Sequence, residues 1–86
     1  MNTLIAIPAF NTQNSINTLI DKISKITDSD ILIYDDGSDP ELIINEECKN
    51  TLKILRNNNN RGKGYTLKKS FNYASINSYS HILTID

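Results

Sequence analysis

Residues 31–40 read ILIYDDGSDP. The run from Ile31 to Tyr34 is continuously apolar, stops on two adjacent carboxylates, Asp35 and Asp36, and breaks at Gly37. A strand with one wet face alternates apolar and polar residues. A short run without alternation is the pattern of a strand buried on both faces, as in parallel sheets covered by helices. The remaining chain tests that reading. Upstream, Thr3 to Ile7 is another short apolar run, and it ends at Pro8. Asn14 or Ser15 is placed to cap a helix, and Ile16, Leu19, Ile20, Ile23 and Ile26 then recur at spacings of three and four, one apolar stripe.

Downstream, Asp39 with Pro40 behind it suits the start of a short helix. Thr51 to Leu55 forms a third strand candidate, and Asn57 to Asn60 a polar loop. Tyr65 to Ala74 carries Leu67, Phe71 and Ala74 at helical spacing, and Ile82 to Ile85 is a fourth strand ending on Asp86. Strands alternating with helices require right-handed crossovers and a parallel sheet. The expected fold is α/β, with about four parallel strands in the order 3-2-1-4 and helices on both faces.

Bulk properties narrow the function classes. The 86 residues suffice for one small domain, with 38% hydrophobic and 22% charged residues. A formal net charge of −1 leaves no electrostatic footprint for nucleic acid or anionic lipid. Cys48 has no second cysteine to pair with, which fits a reducing, cytoplasmic setting. No apolar run approaches the about 20 residues that span a bilayer, and no signal peptide is visible.

In parallel sheets, ligands sit beyond the carboxyl ends of the strands, at the topological switch point. Four polar signals fall there: Pro8-Ala9-Phe10-Asn11, Asp35-Asp36-Gly37-Ser38, Asn60-Arg61-Gly62-Lys63-Gly64, and Asp86. Asp-Gly is also an ordinary turn signal. A carboxylate in that place can equally accept from a nucleobase imino N–H or a ribose hydroxyl. The glycines around Lys63 do not match a Walker A loop; they suit either a solvated loop or a helix start whose open N–H groups favour an anion. His81 and Cys48 have no metal or nucleophile constellation around them. Tyr65, Phe71 and Tyr73 suit packing, and Lys68 and Lys69 a solvated helix face. Because the last signal is an acid with no helix after it, the expectation is an incomplete part of a larger domain.

Taken together, IAIPAFN (5–11), ILIYDDGSDP (31–40), NNNNRGKGYTLKKSF (57–71) and YSHILTID (79–86) resemble the family 2 glycosyltransferases, in order and spacing over nearly the whole chain. The resemblance implies a partial GT-A, Rossmann-like fold and a nucleotide-diphosphate sugar donor, UDP- or GDP-linked. It implies that Pro8 and Phe10 shape the pocket beside the base, and that Tyr34, Asp35 and Asp36 contact base or ribose. Gly62, Lys63 and Gly64 would form the loop near the nucleotide. Asp86 would be the first acid of a D-x-D motif holding the donor and a Mg²⁺ or Mn²⁺ ion. The second acid of that motif and the catalytic base would belong to a C-terminal half, itself a potential partner. This stretch would then supply nucleotide recognition and be inactive alone, and a full-length form could attach to a membrane. Two other readings stay open: a non-catalytic nucleotide-binding or assembly module of the same fold, and an unrelated receiver- or flavodoxin-type domain.

Overall fold

The computed structural model describes residues 2–85. Its elements are β1 (Thr3–Ala9), α1 (Gln13–Ile26), β2 (Asp30–Asp35), β3 (Leu52–Arg56), α2 (Lys63–Ile76) and β4 (His81–Thr84). The four strands form one parallel sheet in the order β3-β2-β1-β4, the order expected from the sequence.

Period-two alternation sends neighbouring residues to opposite faces. Ile5, Ile7, Ile31 and Ile33 pack with Ile16, Ile20 and Ile23 of α1, and with Leu42 from the β2–β3 connection. Leu4, Ala6 and Leu32 pack on the other face with Ala74 of α2. Leu32 and Ile33 are both 0% exposed, which is the two-sided burial that an apolar run without alternation implies. On α2 the buried residues are Thr66, Ser70 and Ala74. Small side chains there let the helix approach the sheet, and Ser70 Oγ donates a hydrogen bond to the Thr66 carbonyl at 2.9 Å.

Three local expectations are corrected. The α1 N-cap residue is Thr12, not Asn14 or Ser15, and its carbonyl accepts from the N–H groups of Ser15 and Ile16. Ile26 closes the α1 stripe in sequence but is 82% exposed. No helix forms after Pro40; residues 36–51 are an irregular connection. The reason is that α1 supplies its backbone partners. Gln13 Oε1 accepts from Ile43 N–H at 2.6 Å and Gln13 Nε2 donates to the Ile43 carbonyl at 2.9 Å. Asn17 likewise donates to the Ile43 carbonyl and accepts from Asn45 N–H. A backbone whose donors and acceptors are met by a neighbouring helix has no need of its own i→i−4 ladder. Leu42 then drops into the core between these ties.

The α2–β4 turn is anchored by Tyr79, whose hydroxyl donates to Asp30 Oδ2 at 2.6 Å. Burial first, then the Asp30 hydrogen bond and charge, push the Tyr79 phenol up to about 12. An unfolded tyrosine titrates near about 10. A pKa raised by folding means stability that is whole below about pH 10 and is lost as pH climbs toward 12. Urea midpoints measured at about pH 9 and 11.5 should therefore converge between wild type and Tyr79→Phe at the higher pH. A gap that stays constant across that window would show that the phenol's proton is not held by the fold.

Candidate functional site

The carboxyl ends of β1 and β2 meet a backbone network. Asp36 N–H donates to the Ala9 carbonyl at 2.8 Å. Asn11 N–H donates to Ser38 Oγ at 2.8 Å, and Asn11 Oδ1 accepts from Asp39 N–H at 3.0 Å. The turns after the two strands are thus stitched together. Gly37 makes this possible: its φ is +74°, and the backbone of Asn59 and Asn60 passes directly against it.

The two adjacent acids have divided tasks. Asp35, 2% exposed, faces inward to the sheet's end. Its Oδ1 accepts from Ser38 N–H at 2.9 Å, and its Oδ2 pairs with Arg56 at 2.6 Å. Arg56 also donates to the Ser38 carbonyl at 2.9 Å and reaches Glu41 at 3.3 Å. Asp36, 4% exposed, points toward the loop before α2. Its Oδ1 accepts from Asn57 Nδ2 and Arg61 N–H, both at 2.8 Å. Its Oδ2 accepts from Gly62 N–H at 2.9 Å and Asn60 Nδ2 at 3.1 Å. Burial works against the Asp36 charge, yet the hydrogen bonds from Arg61, Asn57 and Gly62 outweigh it and hold the carboxyl below the ordinary aspartate range. Asp36 is therefore ionised at neutral pH.

Pro8, Phe10, Asp36, Gly62 and Lys63, all singled out from the sequence, line one cleft of about 260 Å³. Ala9, Asn60 and Thr66 complete it. One wall is apolar, with the Phe10 ring 46% exposed. Gly62, Lys63 and Thr66 bring the N-terminus of α2 into the lining, and its N-cap residue, Gly62, makes no side-chain cap. The first helical bond is Thr66 N–H to the Gly62 carbonyl, so the Gly64 and Tyr65 amides precede the ladder, where the helix dipole favours an anion.

Other expected residues lie elsewhere. Tyr34 packs beside the α2-face core with Leu55 and Tyr73. Asp35 is enclosed by Ser38 and Arg56, and Gly64 sits in the first turn of α2 outside the cleft lining. Asp86 lies outside the described residues. Among the described residues no three His, Cys, Asp or Glu side chains are grouped to hold a metal ion, so the metal expectation rests on Asp86 alone. No described helix is long and apolar enough to cross a membrane. The residues that reasoning from sequence missed are Asn57, Thr66 and Arg56; Asn60 opened the third polar signal without a role of its own. Arg56 carried a readable signal, as a cation closing the strand beside one that ends on two acids. Asn57, inside a run of four asparagines, carried none.

A family model described as Glycosyl transferase family 2 matches residues 4–86. An uncharacterized protein of Methanocaldococcus jannaschii, MJ0544, is 33% identical over 86 residues, covering 93% of this chain. The chain spans 37% of that relative's length. No solved structure matches.

Proposed function

Because this chain belongs to glycosyl transferase family 2, we propose that it binds the nucleoside diphosphate portion of a sugar donor in the cleft between Phe10 and the start of α2. The carrying observation is the pairing of two unlike walls at the carboxyl ends of β1 and β2. An exposed ring backed by Pro8 and Ala9 offers a face for a base. The α2 N-terminus and Lys63 offer a setting for phosphate. The volume of about 260 Å³ falls just under the range of about 300–1,000 Å³ for small-ligand pockets, which suits a nucleoside better than a whole donor.

In the full reaction, a sugar would pass from the nucleoside diphosphate to an acceptor hydroxyl. This chain's part in it is recognition. Asp36, the carboxylate of the described cleft, has its four acceptor sites engaged by the protein, so no described residue is assigned acid–base work. The same observation suits the second reading, a nucleotide-binding module without transfer activity. A divalent ion at Asp86 would neutralise the leaving diphosphate.

Calorimetric titration of UDP, GDP, ADP and CDP tests the proposal. Saturable binding of at least one is expected, weakened about tenfold by Phe10→Ala through lost base stacking. No saturable binding, or binding indifferent to both Phe10→Ala and Lys63→Ala, would remove the cleft from consideration. Turnover of UDP- and GDP-sugars by the chain would separate a transferase from a binding module.

A further inference from the structure

The net charge of −1, which by itself leaves no footprint for anionic lipid, hides a division along the chain. Nine of the ten acids precede residue 49, seven of the nine cations follow residue 48, and residues 49–85 contain no Asp or Glu. The fold turns this division into two faces. α1 covers the face of Ile5, Ile7, Ile31 and Ile33, and the 36–51 connection is tied to it through Ile43 and Asn45. Exposed acids accompany these elements, Asp21 on α1 and Asp39, Glu41, Glu46 and Glu47 in the connection. α2 covers the other face. It carries three lysines and no acid, Arg61 stands just before it, and Lys53, in register with Leu32, is exposed on the same side of β3. The acids on that side, Asp30 and Asp36, are turned to Tyr79 and to the loop before α2. Lys49 and Arg56 are drawn to acids of the first half, Asp28, Asp35 and Glu41.

The outer surface of α2 is not simply charged. Tyr65 is 39%, Phe71 47% and Ile76 71% exposed. Tyr65, Lys69, Asn72 and Ile76 follow one another at helical spacings of four, three and four. Tyr65, Lys68, Lys69 and Asn72 line a depression of about 350 Å³. Arg61 and Lys69 lie 5.4 and 5.5 Å from the Tyr65 ring centroid. The ring thus gathers two cations, and its π face is engaged by them rather than offered to a base. Lysines mixed with exposed aromatic and aliphatic side chains suit an anionic bilayer, with ammonium groups at the phosphates and apolar groups at the acyl boundary. Nucleic acid would use the charges and leave Phe71 and Ile76 in water.

We propose that the outer face of α2 is a docking surface for an anionic lipid bilayer. Arg61, Lys68 and Lys69 meet the headgroup phosphates, and Tyr65 and Ile76 are shallow apolar anchors. Docking through α2 holds the cleft, at the first turn of the same helix, beside the headgroup layer. The surface does not depend on what the cleft binds.

The test is co-sedimentation of the 86-residue chain with vesicles of phosphatidylcholine alone and of phosphatidylcholine mixed with phosphatidylserine. Binding to the mixed vesicles should exceed binding to phosphatidylcholine by at least about tenfold, and should fall as salt is raised. Each lysine near such a surface is worth about fivefold in affinity. Lys68→Ala combined with Lys69→Ala should therefore weaken binding about thirtyfold. Lys22→Ala combined with Lys25→Ala removes the same charge from α1 and should leave binding within about twofold. Ile76→Ser keeps every charge and should weaken binding about fivefold through the lost apolar anchor. All four lysines are exposed, so unchanged urea midpoints are expected in both double variants. Equal losses in the two double variants would show that net charge, and not the α2 face, is at work, and would overturn the proposal. Equal binding to the two kinds of vesicle, or binding to neither, overturns it without any variant. An oligonucleotide that displaces the mixed vesicles and binds Ile76→Ser as well as wild type would assign the face to nucleic acid instead.

Discussion

Gly37→Ala is expected to lower the melting temperature of the chain by on the order of 10–25 °C. Two separate costs add. The Gly37 φ of +74° lies in the left-handed region, where a Cβ meets the following carbonyl and costs roughly 1–2 kcal/mol. The added methyl would also press against the Asn59 carbonyl carbon and lie 2.5 Å from Asn60 N. Both are backbone atoms and cannot rotate aside, so the loop itself must move, at about 1–3 kcal/mol for an overpacked site. The sum is a large share of the about 5–15 kcal/mol that holds a domain together. The other glycines separate the terms. Gly62 has φ +95° but open space around its Cβ position, so Gly62→Ala should show the conformational cost alone. Gly64 has open space and no positive φ, so Gly64→Ala should be neutral or stabilising by up to about 1 kcal/mol. Thermal melts of the three variants give the ranking. A Gly37→Ala chain that melts with Gly62→Ala would mean that the 59–60 backbone does not press on Gly37.

That loop marks the boundary of what the sequence made legible. The sheet was readable because its signal is local: Leu32 and Ile33, adjacent in sequence, are both sealed at 0% exposure, as they must be in a strand covered on both faces. The helix expected at Asp39-Pro40 was not a misreading of local chemistry. Its N–H and C=O groups are met by Gln13 and Asn17, partners far upstream that no window around Pro40 contains. The cleft shows the same division. Strand-end logic gathers Pro8, Phe10 and Asp36 because each ends a strand or follows one, and Gly62 and Lys63 because they open a helix. Tyr34 has the parity of Asp36 and pairs with Pro8 in register, so period two does not separate it from the cleft; it is taken up by packing beside Leu55 and Tyr73. The contribution of Asn57 and Asn60 depends on closing a loop of some twenty residues onto Asp36. A run of four asparagines is uniform in sequence, and only the fold distinguishes the two that hold the carboxylate.

Arg56→Met is expected to destabilise the chain by about 2–4 kcal/mol, more than most surface substitutions. The Asp35 side chain is 3% exposed and its Arg56 partner 31%. Removing the cation leaves a carboxylate at the end of the sheet with Ser38 N–H as its remaining partner. Breaking a fully buried pair costs about 3–5 kcal/mol; the exposure of Arg56 admits some water and brings the figure down. The variant also deprives the Ser38 carbonyl of its donor, so the turn that carries Ser38 and Gly37 loosens on two counts. A double variant, Asp35→Leu with Arg56→Met, separates charge from geometry. Replacing both partners by apolar side chains removes the stranded charge, so the double variant should be more stable than Arg56→Met alone. It should not regain wild-type stability, because Ser38 N–H then loses its acceptor, an unmet donor worth about 1–3 kcal/mol. Urea denaturation of wild type, both single variants and the double gives the coupling directly. A coupling near zero would mean that Asp35 and Arg56 contribute independently of each other. A double variant as stable as wild type would mean that the Ser38 turn does not need Asp35, and that the first acid of the pair serves the fold only through its charge.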